Sequence, residues 1–347
     1  MDLEQFEQRK REHLALALAP KHQSTHGASW GRVHLNHEAL PDLDINEINL
    51  ETQSPIFGTR KPFFVAGMTA GHPDAVKINL RIAKAVARRG WIMGVGSQRR
   101  EFVEPQATQE SKTLKAEAGD ALFLIGNLGI AQLVSFGVER VLRWLESAPI
   151  DGLAVHLNAL QEALQPEGTP EFRGGAKALE YLVKGASKPV VLKETGCGFS
   201  RSTLERLPGG LAAVDLSGRG GTHWGRIEGA RAPEGSRFAK AAVTFADWGE
   251  TLVDALLAAS QVSFQETEVW ASGGVRTGLD AAKAFSLGAD RVGFARPVLE
   301  AALESEACLE EWMEQVEYEL RVACFCTGAA TVPALRGRSK CVEEERT

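Results

Sequence analysis

Glu268-Val269-Trp270-Ala271-Ser272-Gly273-Gly274-Val275-Arg276-Thr277-Gly278 is a short apolar run that breaks into a glycine-rich loop. A run of this length without polar alternation suits a strand covered on both faces, as in a parallel sheet. The glycines after it let the backbone approach an anion closely, and the free N–H groups of a helix start bind one. A single loop of this kind is weak, because glycines also make plain tight turns. Its recurrence along the chain is what carries weight.

Seven further runs have the same character. They are Phe63-Phe64-Val65-Ala66, Ile92-Met93-Gly94-Val95, Ala121-Leu122-Phe123-Leu124-Ile125, Gly152-Leu153-Ala154-Val155, Val190-Val191-Leu192, Leu211-Ala212-Ala213-Val214 and Arg291-Val292-Gly293-Phe294. Helical patterns lie between most of them; residues 131–145 place Val134, Val138, Val141 and Leu145 on one face. Eight β-then-α units of the α/β class predict a closed (β/α)8 TIM barrel, with an open doubly wound sheet as the alternative. The expected division is one domain over 1–347: a barrel over about 62–306, an N-terminal extension over 1–61 and a C-terminal helix over about 307–327. Residues 3–18 read as a short amphipathic helix, and 21–60 as irregular and polar, with His22, His26 and His34. A helix is expected from about Pro297, and another from about Leu309, with Leu309, Trp312, Val316, Leu320 and Ala323 at helical spacing.

The 347 residues are 44% hydrophobic and 24% charged, ordinary for a globular protein. A net charge of -6 gives no global field to attract nucleic acid or an anionic membrane. No apolar run is long enough to span a bilayer, and the charged N-terminus lacks the apolar core of a signal peptide, so a cytoplasmic protein is expected. The five cysteines, Cys197, Cys308, Cys324, Cys326 and Cys341, show no paired metal-ligand spacing and read as buried reduced thiols.

The chemistry gathers where the strands end. Asp215-Leu216-Ser217-Gly218-Arg219-Gly220-Gly221-Thr222, Ser272-Gly273-Gly274 and Gly293-Phe294-Ala295-Arg296-Pro297 follow strands six, seven and eight. Phosphate sites built from the loops after strands seven and eight recur in barrels, and three such loops together point to a cofactor phosphate. Lys193 ends strand five; it either neutralises a cofactor ring, or acts as a base, or pairs with Glu194 or Asp215. Gly96-Ser97-Gln98-Arg99-Arg100 after strand two suits a phosphorylated ligand, and Asn127 after strand three adds an amide or caps the next helix. After strand four, the stretch from His156-Leu157-Asn158 through Gln161-Glu162 to Gln165-Pro166-Glu167-Gly168 concentrates polar groups at the rim. A lone Glu162 can hold Mg²⁺ where substrate phosphates complete the shell. Arg9-Lys10-Arg11-Glu12-His13, on spacing alone, is the solvated face of a helix.

In this order the pieces resemble the type 2 isopentenyl diphosphate isomerases, FMN-dependent barrel enzymes, over nearly the whole chain. The segment His156 to Gly168 is the most specific part, and Gly96-Ser97-Gln98-Arg99 and Phe245-Ala246-Asp247-Trp248-Gly249 add to it. The resemblance implies FMN contacts from Gly67, Met68, Thr69, Ser97, Asn127, Lys193, Thr222, Gly273, Gly274, Ala295 and Arg296. It implies that Arg9, Lys10, Ser97, Gln98, Arg99 and Gln161 hold an isoprenoid diphosphate, that Glu162 binds Mg²⁺ with it, and that NADPH reduces the flavin. Gln161 would orient the alkene, with His156 and Asn158 lining the pocket floor, and reduced FMN would act as acid and base at a ring nitrogen. It also implies a homo-oligomer, tetramer or octamer. Departures from the family pattern fall at Ala70, Thr195, Cys197, Ser217 and Arg219. Another FMN barrel oxidoreductase, of the hydroxy-acid or dihydroorotate type, and a non-catalytic flavin-binding barrel remain as rivals that fold analogy alone does not separate.

Overall fold

The structure, a computed structural model, describes residues 12–68 and 73–342. Eight parallel strands close into a barrel. They are β1 (Phe63–Val65), β2 (Ile92–Gly94), β3 (Phe123–Gly129), β4 (Gly152–His156), β5 (Val190–Lys193), β6 (Ala213–Asp215), β7 (Glu268–Ala271) and β8 (Arg291–Phe294). Closure is made by β8 against β1, with Phe63 opposite Val292 and Val65 opposite Phe294. The open-sheet alternative is thereby excluded.

Side chains alternate between two cores, as the strand period requires. Phe64, Ile92, Ile125, Ala154, Val191, Ala213 and Trp270 fill the barrel interior, one from each of seven strands. The eighth strand contributes Gly293, and a Cβ there would stand 2.2 Å from the Phe64 ring. Outward-facing residues such as Phe63, Val65, Met93, Leu124, Leu153, Leu192, Val214 and Val292 pack beneath the helices. At the N-terminal end of the strands, Phe57 closes the barrel. Its ring lies 5.0 Å from Trp270 and 5.6 Å from Phe123, with the Arg291 guanidinium 5.3 Å from its centroid. Buried Arg291 is paired to Glu268 at 2.9 Å, and Glu268 also accepts from the Trp270 indole at 2.7 Å.

Three sequence expectations change. Residues 131–145 form two helices, Ile130–Phe136 and Val138–Ser147, separated by Gly137 at φ 81. Breaking the helix there lets each half find its own packing, so Leu133, Val141 and Leu145 are buried while Val134 and Val138 are only partly covered. Residues 21–60 are not merely irregular and polar: Ile48 and Leu50 enter the core, and Val33–Leu35 pairs antiparallel with Ser339–Cys341. Beyond the loop after β6 the chain forms two helices, Trp224–Arg231 and Arg237–Thr244. Among the cysteines only Cys324 is fully buried; all five are free thiols. Burial pushes Cys197 and Cys324 up to about 12, which makes both poor nucleophiles.

The helices expected near Pro297 and Leu309 run over Arg296–Glu304 and Glu306–Cys326. The N-terminal helix is described over 12–18. No helix among the described residues is long and apolar enough to cross a membrane.

Candidate active site

A cavity of about 560 Å³ opens at the C-terminal end of the strands. Its walls include Gly67, Met68, Ser97, Arg99, Asn127, His156, Asn158, Gln161, Glu162, Lys193, Thr222, Gly273, Gly274, Ala295 and Arg296. The structure thus brings these predicted residues, from all eight strand ends, into one space. Arg9, Lys10, Thr69 and Ala70 lie outside the described residues.

The late loops build one wall. Gly273 (φ 98) and Gly274 (φ 82) lie in the left-handed region, where only glycine is unstrained. A Cβ on Gly273 would stand 2.0 Å from the Gly218 carbonyl oxygen, and one on Gly274 2.4 Å from the Gly220 carbonyl carbon. The loops after β6 and β7 therefore touch backbone to backbone. Ser272 donates to the buried Asp215 carboxylate at 2.7 Å, and the Trp30 indole donates to the Gly274 carbonyl at 3.1 Å. The helix Arg296–Glu304 begins beside them at Ala295 with no side-chain cap, so its positive end faces the cavity. A glycine cradle with a helix start next to it fits a phosphate.

Buried Lys193 stands between His156 on β4 and Asp215 on β6, its register partners. Its ammonium donates to the Glu194 carbonyl oxygen at 2.7 Å and forms neither carboxylate pair expected of it. Burial lowers its pKa, against the charges of Asp215 and Glu194. Burial likewise raises Asp215, against Lys193 and the Ser272 hydroxyl. Glu194 accepts instead from the backbone N–H groups of Thr195, Cys197 and Gly198. Burial raises it to about 7 despite those bonds. A cation at the cavity wall with two of its three hydrogens left for a ligand suits an electron-rich ring or carbonyl.

Asn127 is not a helix cap: it sits inside β3, and Gly129 precedes the helix. Its Oδ1 lies 2.8 Å from His156 Nδ1, and a Cβ on Gly67 would meet its Nδ2 at 3.2 Å. Gln98 is not a wall residue. Its side chain donates to Glu101 (2.7 Å) and Ser111 (3.1 Å) and accepts from the Asn127 N–H (3.0 Å), bracing β3 from behind. Of the departures, Thr195 and Ser217 do line the cavity, Ser217 at a left-handed φ of 38. Arg219 does not line the cavity, and its Nε donates to the Gly249 carbonyl at 3.1 Å.

Across from the cradle, the helix Ala159–Leu164 presents Gln161 and Glu162. Glu162 accepts from Asn158 Nδ2 at 3.0 Å and from the Thr169 N–H at 2.6 Å. No cluster of three or more His, Cys, Asp or Glu that could hold a metal exists among the described residues. A cation at Glu162 would therefore need oxygens from a ligand.

The sequence reading missed Glu228, His13, Trp224 and Gln132. Glu228 has no exposed surface, and it accepts from Gln161 Nε2 at 2.8 Å and lies 3.0 Å from His13 Nε2. Burial alone would raise its pKa; His13, Gln161 and Arg231 outweigh that and hold it below the usual carboxylate range. His13, Leu14, Ala17 and Trp224 form an apolar-faced wall beside Gln161. Glycine spacing marks loops, but nothing in the spacing of Ile227-Glu228 marks a carboxylate that reaches another helix.

A closed barrel with a glycine cradle suited to a phosphate, a buried lysine and a polar rim has the layout of a barrel protein that holds a phosphate-bearing ligand. The model of the FMN-dependent dehydrogenases matches residues 244–342, which hold the cradle. Isopentenyl-diphosphate delta-isomerase of Legionella pneumophila (strain Corby) is 47% identical over 96% of this chain and 98% of its own length. The enzymes of the same name from Bdellovibrio bacteriovorus and Halobacterium salinarum are 45% and 36% identical, over 96% and 100% of this chain and 97% and 98% of theirs. Mandelate oxidase with benzoyl-formic acid shares the fold, with a TM-score of 0.60 at 20% identity over 98% of this chain and 97% of that one. The chain belongs to the isopentenyl-diphosphate delta-isomerase family, in its FMN-dependent type 2 form. It is an isomerase.

Proposed function

We propose that this cavity interconverts isopentenyl and dimethylallyl diphosphate with FMN against the glycine cradle and the diphosphate, with Mg²⁺, on the opposite rim. The observation that carries the reading is that the cradle and Glu162 wall the same cavity. Gly273, Gly274, Thr222, Ala295 and Arg296 would take the flavin phosphate. Lys193, Asn127, Met68, Gly67 and Ser97 would take the ring, as would Thr69. Bound and reduced by NADPH, FMN would supply the acid and base for moving a proton to and from carbon.

The chain's own part is placement. Arg99, Ser97 and Gln161, with Arg9 and Lys10, supply the local donors and positive charge that an acidic chain needs for a diphosphate. Glu162 takes the Mg²⁺ that neutralises it. Glu228 accepts from the Gln161 amide nitrogen. The Gln161 oxygen accepts from Asn158 at 3.3 Å, so the amide is held from both ends beside the alkene. His156 and Asn158 line the floor. Leu14, Ala17 and Trp224 exclude water from the hydrocarbon end. Gln98 acts from behind by fixing β3. The protein works in the cytoplasm, as a single-domain subunit of a homo-oligomer.

The experiment is an anaerobic incubation of FMN-loaded protein with NADPH, Mg²⁺ and isopentenyl diphosphate. Glu162→Gln should lose Mg²⁺-dependent turnover by on the order of 100-fold or more while keeping the yellow colour. Loss of FMN by that variant would contradict the assignment. No dimethylallyl diphosphate here, together with net oxidation of a 2-hydroxy acid in a separate assay, would instead support the oxidoreductase alternative.

A further inference from the structure

Three elements around the proposed substrate side meet at one side chain that lies outside the cavity wall. Arg231 ends the helix Trp224–Arg231 and is 12% exposed. Its Nη1 donates to Glu228 Oε2 at 2.6 Å, its Nε to Glu12 Oε2 at 3.1 Å and its Nη2 to Glu167 Oε1 at 2.9 Å. The three carboxylates come from the same helix, from the N-terminal helix 12–18 and from the loop after β4.

Each carboxylate leads back to the cavity. Glu228 accepts from the Gln161 amide and from His13. Glu12 is next to His13 and on the same short helix as Ala17, both wall residues. Glu167 lies between Gln165, a wall residue, and Thr169, whose N–H holds Glu162. The turn between them is tight: a Cβ on Gly168 would stand 2.1 Å from the Glu162 carbonyl oxygen.

We propose that Arg231 is a positioning residue that sets the spacing of the Gln161 amide, the Glu162 carboxylate and the N-terminal helix. The proposal rests on the reading of Gln161 and Glu162 as substrate-side groups. A guanidinium suits the task because its planar fork offers five donors in fixed directions, whereas an ammonium is a point charge. Without it, three carboxylates repel one another and Glu228 keeps its burial with less positive charge to offset it. Protonation of Glu228 would then remove the acceptor that orients Gln161. Arg231 does not line the cavity that the glycine cradle walls, so flavin affinity should not depend on it.

The test compares wild-type holoenzyme with Arg231→Met, Arg231→Lys and Glu167→Gln in anaerobic isomerase kinetics, with FMN affinity measured in parallel. Arg231→Met should lose on the order of 100-fold in kcat/KM, the scale of a displacement of about 1 Å, with FMN affinity unchanged. Its kcat should also gain a fall toward acid pH that wild type lacks, as Glu228 titrates. Arg231→Lys should recover part of the loss. Glu167→Gln removes only the charge of one outer arm, whose carboxylate is 45% exposed, so it puts the fold less at risk than Arg231→Met; it should raise KM severalfold with kcat retained. Kinetics unchanged in Arg231→Met and Glu167→Gln overturn the proposal, as does loss of FMN in step with activity. Wild-type protein that makes no product overturns the isomerase reading itself; wild-type turnover beside unimpaired variants overturns only the role of Arg231.

Discussion

At the scale of single residues, the glycines make the sharpest statement. Gly273→Ala would place a Cβ 2.0 Å from the Gly218 oxygen at a φ of 98. The backbone must then move, at a cost of about 1–3 kcal/mol, and the cradle moves with it. FMN affinity, read by fluorescence quenching, should fall by roughly ten- to hundredfold. Glu194 gives a pH signature. Its folded value of about 7 lies above the ordinary 4.5, so the native state holds this proton more tightly than the unfolded chain. The stabilisation is complete below the unfolded value and disappears as pH rises through about 7. Between pH 5 and pH 8 the unfolding free energy from urea titrations should thus change more steeply downward in wild type than in Glu194→Gln, by up to about 3 kcal/mol, while buried His22 and His223, held low, push both proteins the other way. Profiles that run parallel in wild type and Glu194→Gln sink this account of Glu194. Ser272-Gly273-Gly274, Lys193 and the His156 to Gly168 segment were legible because a strand end aims its loop at one rim. Gln98 was misread and Glu228 unread for the same reason: sequence shows which residues are polar, not which of them bond inward.

Elements follow period and punctuation where packing agrees. Eight apolar runs became eight strands, since each is covered on both faces. β3 runs on to Gly129, carrying Asn127 within it, because Gly126, Asn127 and Leu128 find ladder partners on β4. Gly137 cut a periodic stretch in two because its positive φ ends the first helix. The plug was invisible. Phe57 sits in a polar stretch, and only the closed barrel creates the hole it fills. Phe57→Ala should destabilise the protein by about 3–5 kcal/mol in urea, as large buried aromatic truncations do. FMN affinity should stay within a factor of about two, because the plug and the cradle lie at opposite ends of the strands. A cradle that empties together with the plug would show that the two ends are not independent.

For the whole molecule, the repeated β-then-α order favoured the barrel over an open sheet, and the pairing of β8 with β1 decided between them. The pairing of Val33–Leu35 with Ser339–Cys341 was not, since it joins opposite ends of the chain. A net charge of -6 also says nothing of a local anion site, which Arg99, Lys193, Arg296 and the helix start beside Ala295 supply at one rim. The central claim is that this rim moves a proton without net oxidation. The direct measurement is product per reductant: FMN-loaded protein is reduced anaerobically with one equivalent of NADPH, then given excess isopentenyl diphosphate and Mg²⁺. Many molecules of dimethylallyl diphosphate per NADPH, with the flavin still reduced at the end, is the predicted result. One product per NADPH, or none while the flavin is bound and reduced, would contradict it.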